Sequence, residues 1–304
     1  MNRRTFLTTI IVTPAVAAFL AACGDDSTGP AGTSPDTTGP GTTVGGGSGI
    51  AHAIGAGDAV LRLGYEGGFM TADAVFAQSP SLVITGDGLV ITPGAVPAIY
   101  PGPMVMPFFQ RTIDEAGIQA VLVAAKDAGL LASAPDYTLP DGIGIADAPD
   151  TVLVIQANGA SYEHRAYALD LTAGDGSAST PARDALAAFV AKVNDLAALA
   201  GADHLGAEEP HRPTAYRMRA TPVEVPPPAV GTDSTAMPTE PQPTVTPWPA
   251  DTGVVLAQAS NCLVADAAKV GAVLSAANQL SYFSEGGVTY QLAVATALPG
   301  DKGC

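Results

Sequence analysis

The sequence contains few positive charges, few aromatic residues and only three cysteines. Its 304 residues include 13 Lys and Arg against 29 Asp and Glu, which gives a formal net charge of −16. A chain this acidic repels phosphate backbones and anionic lipid head groups, so its composition excludes nucleic acid as a partner and argues against electrostatic attachment to a membrane. Only 14% of the residues are charged and 47% are hydrophobic, which predicts a globular protein with disordered connectors.

Several catalytic signatures are also missing. The sequence has no Gly-x-Ser-x-Gly nucleophile elbow, no His-Glu-x-x-His zinc motif and no phosphate-binding loop. Beyond these motifs, no cysteine is accompanied by a histidine in a pattern that indicates a thiol nucleophile. The sequence therefore favours a binding or structural protein over an enzyme, and no cofactor is predicted.

An apolar stretch near the N-terminus is too short to serve as a stable transmembrane helix. It runs from about Ile10 to Leu20 and follows a cationic start that contains Arg3 and Arg4. A membrane-spanning helix needs about 20 apolar residues, whereas this arrangement is typical of a cleaved export signal. We therefore predict a signal peptide over residues 1–22. The remaining 282 residues carry 11 cations and 29 acids, a formal charge of −18.

The end of this segment carries a second signal. Leu20-Ala21-Ala22-Cys23 resembles the cleavage and lipidation motif of bacterial lipoproteins. The resemblance implies that the Cys23 thiol receives a diacylglyceryl group and becomes the mature N-terminus. Acyl chains such as palmitate would then hold the protein in the cell membrane, facing the extracytoplasmic side. The alternative is an ordinary secretory signal that happens to contain a cysteine.

The start of the signal resembles the twin-arginine export motif. Paired Arg3 and Arg4 are followed by Phe6 and Leu7, while Thr8 stands where that motif often has lysine. Twin-arginine export carries folded proteins, so it is compatible with a cofactor without implying one. The alternative is that the two arginines serve a general secretory signal.

Glycine and proline are abundant, with 34 and 26 residues, and they concentrate in two stretches. Residues 23–57 are rich in Gly, Ser and Thr, and residues 223–247 are rich in Pro. Such segments bury too little apolar surface to offset the entropy of ordering, which predicts a disordered tether and an extended linker. The linker separates a predicted α+β domain over residues 58–222 from a small helix-plus-strands subdomain over residues 248–304.

Local patterns between these stretches predict the fold class. β-branched runs flank Asp87-Gly88 and Asn158-Gly159, and both pairs favour tight antiparallel hairpins. Apolar residues at helical spacing follow three capping signals, which are Thr112 with Glu115, Thr180 with Pro181, and Asp266. We expect the first helix to stop near Gly129 and the second near Ala200. The predicted fold is α+β, with antiparallel hairpins packed on two or three helices and a small C-terminal α/β block.

Two cysteines remain after the predicted anchor. Cys262 and Cys304 are an even pair in an oxidising compartment, which favours a disulfide over two free thiols. The bridge would tie the last residue back across 42 residues. Loop-closure entropy predicts a stabilisation of about 4 kcal/mol.

An acidic loop gives the first candidate metal site. Asp136, Asp141, Asp147 and Asp150 lie within fifteen residues of one another, together with two glycines. Extracytoplasmic carboxylate loops can bind Ca²⁺, but this spacing does not match an EF-hand, and a solvated loop is the alternative. We therefore predict no metal site and keep these four residues as weak Ca²⁺ candidates.

The same loop supports an alternative, enzymatic interpretation. Its carboxylates could meet Glu163 or His164 in a cleft and act as an extracytoplasmic hydrolase. Because side chains alternate along a strand, His164 should point away from its neighbours Glu163 and Arg165, which does not favour a Glu-His dyad.

A third interpretation is a metal-binding envelope protein. Met104 and Met106 could bind copper through their thioethers, although Met more often fills gaps in a core. A second set lies in a polar connector that is otherwise expected to be a loop, and it comprises His204, Glu208, Glu209 and His211.

The order of these features carries one further resemblance. A strand, a Gly-Asp-Gly hairpin, a loop with Tyr100-Pro101-Gly102-Pro103, a capped helix and an Asn-Gly hairpin follow one another over residues 58–200. This order resembles uncharacterised exported lipoproteins of high-GC Gram-positive bacteria, and residues 248–304 resemble them more loosely. The resemblance implies a fold and a location but no activity. We therefore expect a lipid-anchored, non-catalytic binding or envelope-associated module, with an envelope protein or glycan as partner.

Overall fold

The computed structural model describes residues 49–172, 179–225, 241–301 and 303–304. The predicted signal peptide, its residues Arg3, Arg4, Phe6 and Leu7, and the lipidation residue Cys23 lie outside the described residues. So do most of the predicted tether and the middle of the predicted linker. In the described part of the chain, no helix is long and apolar enough to cross a membrane.

The described residues form an α+β fold with two sheets, as the local patterns predict. The strands are β1 (Ala59–Gly67), β2 (Leu82–Thr85), β3 (Leu89–Pro93), β4 (Phe108–Thr112), β5 (Pro149–Ala157), β6 (Ala160–Tyr167), β7 (Glu209–Pro210), β8 (Ala215–Pro222), β9 (Thr244–Pro247), β10 (Leu263–Asp266), β11 (Ser281–Glu285) and β12 (Val288–Thr296). The helices are α1 (Ala72–Ala77), α2 (Glu115–Asp127), α3 (Leu169–Thr172), α4 (Pro181–Asn194), α5 (Leu196–Ala200) and α6 (Ala267–Ala276). Both sheets lie in one compact unit.

The first sheet has seven strands in the order β6-β5-β1-β2-β3-β4-β7, and every neighbouring pair is antiparallel. Its β5–β6 hairpin turns at Asn158 and Gly159, whose φ angles are 52° and 72°. A two-residue turn with two positive φ angles matches the twist of antiparallel strands, which is why Asn-Gly is favoured there. This confirms the predicted hairpin.

Helices α2, α4 and α5 contribute to the core on one face of this sheet. Leu61 of β1 and Leu153 of β5 are fully buried against Leu122 of α2 and Leu186 and Phe189 of α4. Each such side chain contributes about 1.5–3 kcal/mol when it leaves water. This layer is the main core of the molecule. None of α2, α4 and α5 covers the opposite face of β1, β5 and β6, which we call the helix-free face.

The helix boundaries follow the predicted caps with two corrections. Asp114, rather than Thr112, caps α2, and its Oδ1 accepts a hydrogen bond from the Gly117 amide at 2.9 Å. Thr112 is still paired with Leu89 in the sheet and so cannot act as the cap. The predicted second helix is broken at Asp195, whose side chain caps α5 by accepting from the Ala198 amide. Thr180 and Asp266 cap α4 and α6 as predicted.

The second sheet has five strands in the order β10-β8-β12-β11-β9. Strand β8 belongs to this sheet, so the passage from one sheet to the other lies between Pro210 and Ala215, ahead of the predicted linker. Strand β9, at the end of the predicted linker, pairs parallel with β11. The sequence patterns did not indicate these pairings, because β8 and β9 pair with strands that lie far along the chain.

The second core lies between this sheet and α6. It includes Met218, Val270, Leu274 and Phe283, and Trp248 packs edge-on against Phe283 with ring centroids 5.1 Å apart. The Trp248 Nε1–H donates to the Val254 carbonyl at 2.9 Å, which satisfies its polar atom inside the core.

Both ends of the described chain are held against the fold. Cys262 and Cys304 form a disulfide with a Cα–Cα distance of 5.2 Å, as predicted. At the other end, Ile50 packs on the first core and His52 is buried, so the packed chain begins earlier than the predicted tether end at residue 57. The Ala51 carbonyl accepts a hydrogen bond from the Asn158 amide at 2.7 Å, which places this segment at the β5–β6 turn.

Candidate functional site

The helix-free face of the first sheet carries a set of paired charges. Directly opposed residues of antiparallel strands share a face, so the register of β1, β5 and β6 decides which side chains meet there. The three rows across these strands are Arg62, Val154 and Glu163, then Gly64, Val152 and Arg165, then Glu66, Asp150 and Tyr167. Two valines therefore form a central apolar strip between charged side chains.

Arg165 is the centre of one charge cluster. Its guanidinium lies 2.6 Å from Glu66 Oε2, 3.0 Å from Asp150 Oδ2 and 3.5 Å from Glu163 Oε1. The hydrogen bond to Glu66 raises the pKa of Arg165 most, Asp150 raises it further, and partial burial opposes both. Three carboxylates around one cation leave this part of the face with a negative balance.

Asp301 is the centre of a second cluster that joins the two sheets. Its Oδ1 accepts from Arg62 Nη2 of β1 at 2.7 Å, and its Oδ2 lies 3.5 Å from Arg217 Nε of β8. The same Oδ2 accepts from the Leu298 amide at 3.0 Å, so the C-terminal turn is held in place by its own aspartate. The Asp301 side chain is only 7% exposed, and a carboxylate this buried is stabilised by such pairing.

A groove of about 660 Å³ lies between these clusters. Val152, Val154 and Gln156 of β5 line it, together with Arg62 and Glu66 of β1, Ser161, Glu163 and Arg165 of β6, His52 of the N-terminal segment, and Gly300 of the C-terminal turn. Its volume lies within the range of small-ligand pockets, and it combines apolar and polar surface. A second groove, of about 440 Å³, shares Arg62, Glu66 and Arg165 with it.

The second groove leads to an aromatic side chain between two cations. Phe76 of α1 lies 5.7 Å from the guanidinium carbon of Arg217 and 5.1 Å from that of Arg219, measured to the ring centroid. Arg219 of β8 also pairs with Asp73, which lies in α1 with Phe76, at 2.5 Å. These contacts attach α1 to the second sheet through cation–π and ionic interactions.

The structure places His164 away from the groove. It is fully buried on the helix side of the sheet, where its Nε2–H donates to the Leu130 carbonyl and its Nδ1 accepts from the Tyr137 hydroxyl, both at 2.8 Å. As alternation predicts, Glu163 and Arg165 lie on the opposite face. Both ring nitrogens are occupied, so His164 has a structural role here.

The four aspartates of the acidic loop are not gathered into one cluster. Asp150 pairs with Arg165, whereas Asp136 accepts from the Thr138 amide at 2.8 Å, and hydrogen bonds from Thr138 lower the pKa of Asp136. Asp147 adopts a positive φ of 60° in a turn, and Asp141 is exposed. Asp136, Asp150 and Glu163 nevertheless line one shallow cavity of about 500 Å³.

The remaining metal candidates have separate partners. His204 Nδ1 lies 2.9 Å from Asp114 Oδ2 at the start of α2, and His211 Nδ1 lies 2.7 Å from the Gln110 side-chain oxygen. Glu209 accepts from the Gln110 amide group. Met104 packs against the second core and Met106 is 46% exposed. Over the described ranges, no three His, Cys, Asp or Glu side chains are grouped so that they could hold a metal ion.

The sequence did not indicate the contact between Arg62, which lines the groove, and Asp301, which lines the second groove. They are separated by 239 residues, and no local pattern links a β1 arginine to an aspartate at the C-terminus. The alternation of side chains along a strand was a usable signal for the groove. It places Arg62 and Glu66 on one face of β1, and it places Glu163 and Arg165 on one face of β6. Only the pairing of both strands with β5 shows that these faces adjoin.

The chain was also compared with known proteins. No protein-family model, curated protein or solved structure matches it significantly. Function is therefore inferred from the sequence signals and from the geometry of the groove.

Proposed function

We propose that this chain is a lipid-anchored extracytoplasmic protein whose folded part is a non-catalytic binding module. The groove on the helix-free face of the first sheet is its binding surface. The observation that carries this proposal is the groove of about 660 Å³, with its apolar floor and a rim of paired charges. The Cys23 motif and the Gly-rich stretch that follows it support the anchor and the tether.

The geometry favours binding over catalysis. Arg165 contacts Glu66, Asp150 and Glu163, so guanidinium hydrogen bonds occupy oxygens that a general base would use. Asp301 is occupied in the same way by Arg62 and Arg217. Side chains held by ion pairs lose little freedom when a ligand arrives, and this preorganisation lowers the entropic cost of binding.

The rim indicates the chemistry of the ligand. It offers carboxylates, guanidinium groups, the Gln156 amide and the Ser161 hydroxyl over a floor of valine side chains. An envelope peptide or glycan with amide, hydroxyl or charged groups fits such a surface. A nucleic acid does not, because the chain carries an excess of 16 negative charges.

A pull-down from native membranes tests the groove. Val154→Trp places a large side chain on the groove floor, and Val123→Trp places the same side chain on the exposed face of α2, away from the groove. We expect wild type and Val123→Trp to retain the same envelope component and Val154→Trp to lose it. Equal recovery by all three chains, at equal thermal stability, contradicts the proposal.

The anchor is tested separately. We expect wild type to incorporate labelled palmitate and to remain with the membrane fraction, and Cys23→Ala to do neither. Arg3→Lys together with Arg4→Lys should block export if the twin-arginine route is used and leave it intact if the general route is used. Palmitate labelling that persists in Cys23→Ala contradicts the assignment of the lipid to that residue.

A second candidate function is hydrolysis, and one observation favours it. Asp136, Asp150 and Glu163 line one cavity, which brings loop carboxylates and a strand carboxylate together. An envelope polysaccharide incubated with purified chain would be cleaved, and Asp150→Asn and Glu163→Gln would each lower the rate by roughly a hundredfold or more. No cleavage by wild type removes this candidate.

A further inference from the structure

Strand β6 is the free edge of the first sheet. It is eight residues long, contains no proline and keeps continuous register with β5 from Ala160 to Tyr167. The opposite edge, β7, is two residues long and contains Pro210. Proteins usually shorten or block edge strands because unpaired backbone groups attract another strand. This sheet has one blunted edge and one long, regular edge.

The backbone groups on the free edge can be assigned from the turn. In a two-residue hairpin the residues that flank the turn exchange hydrogen bonds, so Ala160 is bonded to β5 and its neighbours alternate. The hydrogen bond from the Ala168 amide to the Pro149 carbonyl, at 3.0 Å, fits this alternation. Ser161, Glu163, Arg165 and Tyr167 therefore direct their backbone groups away from β5. The Tyr167 carbonyl accepts from Arg183 at 2.9 Å, and among the described residues no other bond to these outward backbone groups is seen.

The side chains on this edge carry opposite charges two residues apart. Glu163 and Arg165 lie on the groove side, with side chains 50% and 38% exposed. An antiparallel strand can form hydrogen bonds with this edge only in registers where its own unpaired backbone groups face those of Ser161, Glu163, Arg165 and Tyr167. If the incoming strand is β6 of another copy, two of these registers place Glu163 opposite Glu163 or Arg165 opposite Arg165. A third places Glu163 opposite Arg165 twice, by symmetry.

We propose that β6 is a self-association edge, at which two copies of this chain pair antiparallel with Glu163 of each copy opposite Arg165 of the other. The twofold axis then passes beside His164, and two opposite-charge pairs form across the junction. Opposed cross-strand charges stabilise a pair of strands and like charges destabilise it, so charge favours this register over the two that place like charges opposite each other. The pairing is isologous, which is the commonest geometry of homodimers.

Self-association also extends the binding surface. The two first sheets become one continuous sheet, and the grooves of both copies lie on the same face, on either side of the junction. Glu163 and Arg165 line the groove and lie on the edge strand, so each copy adds charged side chains next to the groove of its partner. The pairing itself rests on the edge and its charges and not on the proposed ligand or anchor.

Amide hydrogen exchange of the full wild-type chain in detergent tests the register without any substitution. We expect the Glu163 and Arg165 amides to exchange slowly at high protein concentration and at least tenfold faster on dilution. The His164 and Ala166 amides bond to β5, so their exchange should not depend on concentration. Fast exchange of Glu163 and Arg165 at every concentration, or a dimer that leaves them unprotected, overturns the proposal.

Charge reversal provides the second test, by sedimentation of the same full chain. Glu163→Arg places like charges opposite each other and should raise the dissociation constant of the dimer about tenfold. Glu163→Arg combined with Arg165→Glu restores opposite charges across the junction and should recover association to within about threefold of wild type. Glu209→Arg, on the blunted edge, is the matched control and should associate like wild type.

The outcomes of the two tests are distinct. A monomer at all concentrations, or a Glu163→Arg chain that associates as tightly as wild type, contradicts the proposal. If the double variant does not fold, the exchange measurement on wild type still decides. Amide exchange of wild type reports the dimer and the Val154→Trp pull-down reports the groove, so either proposal can fail while the other stands.

Discussion

Tyr137 and His164 show how a polar pair is accommodated inside the first core. The Tyr137 hydroxyl donates to His164 Nδ1 at 2.8 Å, and burial raises the pKa of Tyr137 from 10.0 to about 12. An unpaired buried acceptor costs about 1–3 kcal/mol, so this hydrogen bond matters although it is far from the groove. His164 illustrates that a histidine beside charged residues in sequence can be a core residue in the fold.

The raised pKa of Tyr137 predicts a loss of stability in alkali. Between pH 10 and about 12 the unfolded chain has released the Tyr137 proton and the folded chain has not, so the free energy of unfolding falls as pH rises. Tyr137→Phe removes this contribution, and urea unfolding at several pH values should show a shallower decline. At neutral pH the same substitution should cost about 1–2 kcal/mol. Equal alkaline slopes for both chains contradict the assignment.

Asp301 links the two sheets through ion pairs with an arginine of each. Asp301→Asn leaves Arg62 and Arg217 without a carboxylate in a largely buried site. We expect this change to lower the free energy of unfolding by roughly 2–3 kcal/mol. Asp251→Asn, at an exposed position, is the control and should change it by less than about 0.5 kcal/mol. Urea unfolding of both variants checks the difference.

Among the elements, the β5–β6 hairpin depends on a conformation that glycine adopts readily. Gly159 has a φ of 72°, and a Cβ placed there meets no atom within 4 Å. Gly159→Ala therefore adds backbone strain without a clash and should cost about 1–2 kcal/mol. Gly144 also has open space around it but no positive φ, so Gly144→Ala should be close to neutral. Similar losses in both variants would show that strain at the turn is not the cause.

The elements that sequence analysis found share one property, which is a strong local signal. Thr180, Asp266 and Gly129 mark helix boundaries because they act on the backbone within a few residues. Asn158-Gly159 marks a hairpin for the same reason. Local chemistry therefore predicted the α+β class and most of the helices and hairpins of the described chain.

The elements that it did not place depend on distant partners. Strand β9 begins at Thr244 in a Pro-rich stretch and exists as a strand through its parallel pairing with β11. Strand β8 pairs with β12 and β10 rather than with the strands that precede it. The same limit applies beside the groove, where Arg62 meets Asp301 from 239 residues along the chain. Cap and turn signals carry no information about such contacts.

For the whole molecule, the disulfide and the C-terminal turn act together. Cys304 is bonded to Cys262, and Asp301, three residues earlier, pairs with both sheets. Closing a loop across 42 residues removes entropy from the unfolded chain and raises its free energy by about 4 kcal/mol. The bridge and the ion pairs therefore restrain the segment that forms one wall of the groove.

Loss of the bridge should weaken the protein without changing its fold. Cys262→Ser together with Cys304→Ser is expected to lower the free energy of unfolding by up to about 4 kcal/mol. Wild type in reducing agent should show the same loss. Circular dichroism should remain that of an α+β protein at low denaturant concentration. A double variant as stable as oxidised wild type means that the ion pairs of Asp301 hold this segment without the disulfide.

The claim that the helix-free face of the first sheet is the binding surface is tested most directly by site-specific photocrosslinking in intact cells. A photoreactive amino acid at position 154 lies on the groove floor, and the same amino acid at position 123 lies on the exposed face of α2. We predict a discrete crosslinked envelope component at position 154 and none at position 123. Crosslinks at position 123 alone, or at neither position in cells that display the protein, would contradict the account.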